Sequence, residues 1–140
     1  MKMLRSIALG FGLLLATASV YAQEVHVRAT IPFDFVVGNQ ALPAGDYTVQ
    51  SMGSGSSILL VQNRDQKAAT LVRANSCEKR DISEKTALVF HRVGDQYFLS
   101  EIWREGDAQG RQLPRSRSEL EISKNQASEP VVIVATLLSR

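Results

Sequence analysis

Along residues 25–31 apolar and polar side chains alternate, with Val25, Val27, Ala29 and Ile31 set against His26, Arg28 and Thr30. A period of two marks a strand with one buried face. Pro32 interrupts it, and Phe33-Asp34-Phe35-Val36-Val37 resumes as extended chain. Leu42-Pro43-Ala44-Gly45-Asp46 reads as a turn, because Pro43 presets φ and Gly45 accepts a positive one. Tyr47–Gln50 follows as a strand, Gly53–Ser56 as a loop and Ile58–Val61 as a strand. Asn63–Gln66 turns the chain, and Ala68–Ala74 returns as the partner. Residues 75–85, the longest charged stretch, read as a solvated loop.

The best-defined pair runs Thr86–Arg92 and Gln96–Arg104 about Gly94-Asp95, a two-residue hairpin signal with glycine first, as a type II′ turn prefers. That loop sets Val93 against Gln96, Arg92 against Tyr97, His91 against Phe98 and Phe90 against Leu99. Continued without a break, it sets Val89 against Ser100, Leu88 against Glu101 and Ala87 against Ile102. Apolar residues fall on both faces, so the hairpin is expected at the centre of a sheet rather than at an edge. It carries four of the seven aromatic residues beyond position 22: Phe90, Tyr97, Phe98 and Trp103.

Gly106–Gly110 reads as a turn. Ser116 followed three residues later by Glu119 is a capping-box spacing, which predicts one short helix near residues 116–125. Pro130 stops what precedes it, and Val131–Leu138 is a strongly β-prone final strand. Roughly eight strands with short connections predict an all-β domain. It is expected to be a single antiparallel β-sandwich or a small β-barrel.

The N-terminus breaks this pattern. Lys2 and Arg5 precede an apolar run over Ile7–Ala16, and Val20-Tyr21-Ala22 is a small-residue cleavage site before Gln23, with Ala16-Thr17-Ala18 a second one upstream. The unbroken run is shorter than the ~20 residues of a spanning helix. Residues 1–22 are therefore expected to be a signal peptide and residues 23–140 a single β-rich domain, exported to the periplasm or beyond the cell. Val131–Leu138 is too short to span, so no integral membrane segment is expected after cleavage. The whole chain holds 16 Lys and Arg against 14 Asp and Glu, but without residues 1–22 the balance is 14 against 14. The basic excess thus belongs to the leader and says little about partners.

The chemistry on offer is sparse. Cys77 is the only cysteine, which excludes an internal disulfide and, given its position, a lipid-modified N-terminal cysteine. His26 and His91 lie 65 residues apart on different strands, so no metal or other cofactor is expected. No Gly-x-Ser-x-Gly is present, and Gly53–Ser56 lacks the lysine of a phosphate cradle. Glu101, in an apolar strand, is expected to pair with Arg92 or Arg104. Arg111, Arg115, Arg117 and Lys124 interleave with Glu119 and Glu121, so no nucleic-acid surface forms. The cluster richest in chemistry is His91, Arg92, Tyr97, Glu101 and Trp103, on the central hairpin. It points to an exported, non-enzymatic domain that binds a protein partner, an envelope surface or a small apolar ligand. The alternatives are a lipocalin-like carrier with a hollow interior, or a small secreted hydrolase using Glu101, His91 or Asp34.

Three stretches carry a family likeness. They are Ile31-Pro32-Phe33-Asp34-Phe35-Val36-Val37-Gly38 with Leu42–Val49, then Leu88–Leu99, then Leu113-Pro114-Arg115-Ser116-Arg117. In order and spacing the chain resembles a family of small exported β-rich proteins of unknown function, common in soil acidobacteria. The resemblance implies an exported β-rich domain and implies no activity.

Overall fold

The opening alternation forms the strand it predicts. The computed structural model describes residues 25–53, 57–65 and 67–138, so the expected leader and its cleavage sites lie outside the described residues. The strands up to the middle of the chain are β1 (His26–Ile31), β2 (Phe35–Val37), β3 (Gln40–Leu42), β4 (Gly45–Ser51), β5 (Ile58–Asn63) and β6 (Ala69–Arg73). Then come β7 (Asn75–Glu78), β8 (Ala87–Val93), β9 (Gln96–Trp103), β10 (Gln109–Gln112), helix α1 (Arg117–Ser123), β11 (Ser128–Val134) and β12 (Thr136–Leu137).

They build two sheets. One has the order β12-β1-β4-β5-β6; the other runs β11-β8-β9-β10-β7, with the β2–β3 hairpin joined to β9. Each sheet keeps its own edges, so the domain is a sandwich and not a closed barrel. Inward-facing Val27, Ile31, Tyr47, Val49, Leu59 and Val61 of the first sheet meet Phe35, Leu88, Phe90, Leu99 and Ile102 of the second in one buried core. Phe35 stands edge-on to both Tyr47 and Phe90, at 5.0 and 5.5 Å between centroids. Each such side chain contributes about 1.5–3 kcal/mol on burial. The Tyr47 hydroxyl escapes desolvation cost by donating to the Pro43 carbonyl at 2.6 Å.

Several expectations are corrected. Twelve strands are present among the described residues instead of about eight, because β3, β7, β10 and β12 have only two to four residues and little alternation. Residues 75–78, expected in a loop, form β7, which pairs with β10, while Gln109 and Gly110, expected in a turn, open β10. The sheet is not wholly antiparallel either, since β2 runs parallel to β9 where Val36 faces Phe98. Pro130 lies inside β11 rather than before it. It is tolerated there because β11 is an edge strand, whose outward side needs no N–H. The final apolar run also divides, passing from one sheet to the other at Ala135.

The central hairpin keeps its expected register as far as Phe90 opposite Leu99, and then slips by one. Val89 faces Glu101, Leu88 faces Ile102 and Ala87 faces Trp103. Leu99 and Ile102 are both core residues, and at a spacing of three they reach the same face only if one residue is extra. That residue is Ser100, whose carbonyl accepts the Leu113 N–H at 2.8 Å.

Candidate functional site

The slip decides which candidate side chains share a surface. Phe90 and Leu88 point to the core, so His91 and Val89 point out of the sandwich, and directly paired residues share a face. Glu101 and Trp103 therefore stand on the same outer face as His91. The regular register would have put His91 and Glu101 on opposite faces. Arg92 and Tyr97 take the other side: Tyr97 stacks on Phe33 at 3.8 Å beside Phe90, and the Arg92 guanidinium lies 5.9 Å from the Tyr97 ring. The five expected cluster residues are thus divided by the sheet.

Helix α1 covers one half of the outer face. Ser116 caps it, accepting the Glu119 N–H at 3.1 Å as the capping spacing predicts. The Glu119 side chain is buried, and its Oε2 lies 3.1 Å from His91 Nδ1 and 3.7 Å from Arg115 Nε. Burying a carboxylate beneath a helix is tolerable only with such partners. This pair was not expected from the sequence, where Glu119 signalled only a cap and His91 only a surface neighbour of Phe98.

The other half has no helix over it among the described residues. Its cross-strand rows follow from the registers: Cys77, Gly110, Trp103, Ala87 and Val134, then Asn75, Gln112, Glu101, Val89 and Val132. Trp103 lies flat across Gly110. A Cβ there would fall 2.6 Å from Cε3 and 2.8 Å from Cζ3 of the indole, so any side chain at this position forces the ring or the strand to shift. The Trp103 Nε1–H donates to Glu101 Oε1 at 2.7 Å, and Lys79 Nζ sits 4.4 Å from the ring centroid. Glu101 therefore has a partner other than the arginines expected for it. Arg104 turns instead to Asp107 at 3.0 Å.

A loop from Lys79 to Thr86 walls this half. It is strapped to the 104–108 turn by Lys79 N–H to Ala108 O, Ser83 N–H to Asp107 O and Gly106 N–H to Ser83 O. Between wall and sheet lies a groove of about 560 Å³. Val89, Trp103 and Val132 line its apolar part, and Glu78, Glu84, Glu101, Lys79 and Lys85 its charged part. The buried Ser83 hydroxyl also lines it and has no hydrogen-bond partner among the described residues. Burial first, and then the Glu101 carboxylate, push the Cys77 thiol above its ordinary value. It is held as the thiol rather than the nucleophilic thiolate.

The basic run late in the chain is likewise split, since Arg111 is buried and its Nη1 reaches Ser76 Oγ at 3.4 Å, whereas Arg115 turns to Glu119. Among the described residues no three His, Cys, Asp or Glu side chains gather as metal ligands, and no helix is long and apolar enough to cross a membrane. Sequence reasoning missed Lys79, Ser83, Val89, Val132 and Glu119 as parts of this surface. Only the capping spacing at Glu119 carried a signal, and it pointed to the helix end rather than to the sheet. Comparison with family models, curated proteins and solved structures gives no match for the chain.

Proposed function

We propose that the chain is an exported, non-enzymatic β-domain that binds a protein partner through the helix-free half of its outer sheet face. The observation that carries this reading is the groove over Val89, Trp103 and Val132, an apolar centre within a charged rim. That anatomy suits a protein–protein contact. Three carboxylates and two lysines interleave around it, which favours a partner carrying both signs over a uniformly anionic envelope surface. The unpartnered Ser83 hydroxyl supplies a polar anchor in the wall. Export follows from the leader expected over residues 1–22 and from the resemblance noted above.

The carrier reading has less support, because the space between the sheets is filled by Phe35, Tyr47, Phe90 and their neighbours. The hydrolase reading has less support as well, because His91 and Glu101 are engaged with Glu119 and Trp103.

The test compares material retained from the envelope fraction by the wild-type protein, by Val89→Asp and Lys79→Glu in the groove, and by Leu71→Asp on β6 of the other sheet. A partner held by the wild type and by Leu71→Asp, and lost from both groove variants with their circular dichroism intact, is the expected result. Identical retention by all four proteins would overturn the proposal.

A further inference from the structure

A second groove, of about 510 Å³, draws its lining from both sheets and shares no residue with the groove over Trp103. Val72 and Arg73 line it from the end of β6, Gly38 from the β2–β3 loop, and Arg115 and Arg117 from the segment that opens α1. These parts are held in place. Leu113 is buried and its N–H bonds to the Ser100 carbonyl, Pro114 fixes φ, and the Ser116 hydroxyl is occupied in capping the Glu119 N–H. Gly38 turns at φ +61°, and a Cβ there would stand 3.4 Å from Val72 Cγ2, so the loop lies close against β6.

Among the described residues three arginines line this groove and no carboxylate does. Glu119 and Glu121 interleave with Arg115 and Arg117 in the sequence, yet the fold buries the first and leaves the second outside the groove, while Arg73 joins from the other sheet. Glu119 stands 3.7 Å from Arg115 Nε, and the Arg115 side chain stays half exposed. Arg73 and Arg117 have no ion-pair partner among the described residues. Arg117 also stands in the first turn of α1, where the helix dipole disfavours a cation, so the helix gains nothing from its charge. Like charges focused in one groove favour an anion among them. We infer that this groove binds a phosphate monoester. A guanidinium presents a planar fork of donors and is always charged, which suits it to oxyanions. A phosphoryl group offers three terminal oxygens in different directions, which arginines from two elements can share, whereas a carboxylate offers two in one plane. The groove is larger than a phosphate, and Val72 and Pro114 supply apolar contact for the group esterified to it. The donors are all side chains, and no main-chain N–H of α1 is called on.

The test titrates the purified protein with glycerol 3-phosphate by calorimetry at low ionic strength. In parallel, it measures co-sedimentation with phosphatidylcholine vesicles containing phosphatidic acid, against phosphatidylcholine alone. Both probes carry a phosphate monoester, and the arm that binds tells a soluble ester from a lipid headgroup. Saturable binding in at least one arm is expected. Arg73→Gln and Arg117→Gln should each weaken it about tenfold or more with native circular dichroism, and Arg28→Gln, at an exposed arginine of β1, should not. Arg115 is left intact because it also faces the buried Glu119. Malonate, a dicarboxylate of similar charge, should bind more weakly than glycerol 3-phosphate. Val89→Asp, in the partner groove, should leave the ester bound as before, so the two proposals fail separately. No saturable binding in either arm overturns the inference. So does equal weakening by Arg28→Gln, which marks attraction to net charge alone, or malonate binding as tightly as the ester. Unchanged affinity in the folded groove variants overturns it too. If those variants do not fold, Arg73→Lys and Arg117→Lys keep the charge and lose the fork, and unchanged affinity in both of them overturns it.

Discussion

Gly110→Ala is the sharpest perturbation of the outer face. Gly110 does not occupy the left-handed region, so alanine meets no backbone strain and even gains about 0.4–1 kcal/mol through a less flexible unfolded chain. The obstacle is steric. The new Cβ would stand 2.6 and 2.8 Å from two indole carbons of Trp103 and 2.7 Å from the Ile102 carbonyl. The carbonyl belongs to β9, which pairs with β10 along this edge, and the indole is pinned by its bond to Glu101. Something must shift by several tenths of an ångström. Overpacking of this kind costs about 1–3 kcal/mol, and losing the hydrogen bond to the charged Glu101 would add about 1.5–3 kcal/mol if the ring is expelled. Net of the unfolded-state gain, the variant should lose about 1.5–5.5 kcal/mol with the ring expelled. Trp103 is the single tryptophan of the chain, so its emission reads the site directly while urea denaturation reads stability. A red-shifted folded-state emission and a lower urea midpoint are expected. Gly106→Ala is the control, because a Cβ there meets nothing within 4 Å although φ is +81°. It should lose stability through its backbone and leave the emission unchanged. A Gly110→Ala protein within about 0.5 kcal/mol of wild type and with native emission would refute the stacking argument.

Other variants test the remaining contacts. His91→Ala leaves the buried Glu119 carboxylate with only Arg115 at 3.7 Å, and should cost about 2–4 kcal/mol in thermal or urea unfolding, whereas Arg115→Ala, at a half-exposed partner, should cost less than 1 kcal/mol. Gly94→Ala forces a side chain into φ +63° at the hairpin turn and against Gln126, and should cost at least 1–2 kcal/mol, roughly, by the same assay. Cys77 should alkylate more slowly in the folded protein than in urea, and Glu101→Gln should speed the reaction by removing a charge that opposes the thiolate. Because the folded thiol holds its proton more tightly, its stabilising contribution is complete below the ordinary value of 9.0 and is lost as pH rises through the raised folded value. The urea midpoint should therefore fall more steeply in alkali for the wild type than for Cys77→Ser.

What could be read from the residues was whatever a single strand or turn decides by itself. The alternation of Val27, Ala29 and Ile31, the Gly94-Asp95 loop and the Ser116–Glu119 cap each have a local cause, and each appears where expected. The slip at Ser100 has no local cause. Phe98-Leu99-Ser100 and Ile102-Trp103 are all buried, so period two gives no preferred parity across them, and the choice falls to the core partners Phe90 and Leu88. Strands β7 and β10 were illegible for a related reason. Their residues are polar and few, and they are extended because each supplies the other, and β9, with main-chain partners. The candidate cluster suffered most, since a one-residue slip turns side chains to the opposite face. It moved Glu101 to the side of His91, while Arg92 and Tyr97 stayed on the inner rim.

The two faces of the central hairpin are therefore under different constraints. On the inner side Phe90, Leu99 and Ile102 must fill a core shared with the other sheet, and a change of one methylene is felt there. On the outer side Val93, Phe98, Trp103 and Glu119 are also buried but stand outside that core, and α1 covers one end, where Glu119 meets His91. Past the bulge, among the described residues, the loop from Lys79 to Thr86 walls the rows from Glu101 to Val132 and from Trp103 to Val134, and no helix or strand lies over them. The apolar side chains there, and the glycine that lets Trp103 lie flat, are not needed to close the interior. Their concentration on one half-face is the feature on which the proposed binding surface rests.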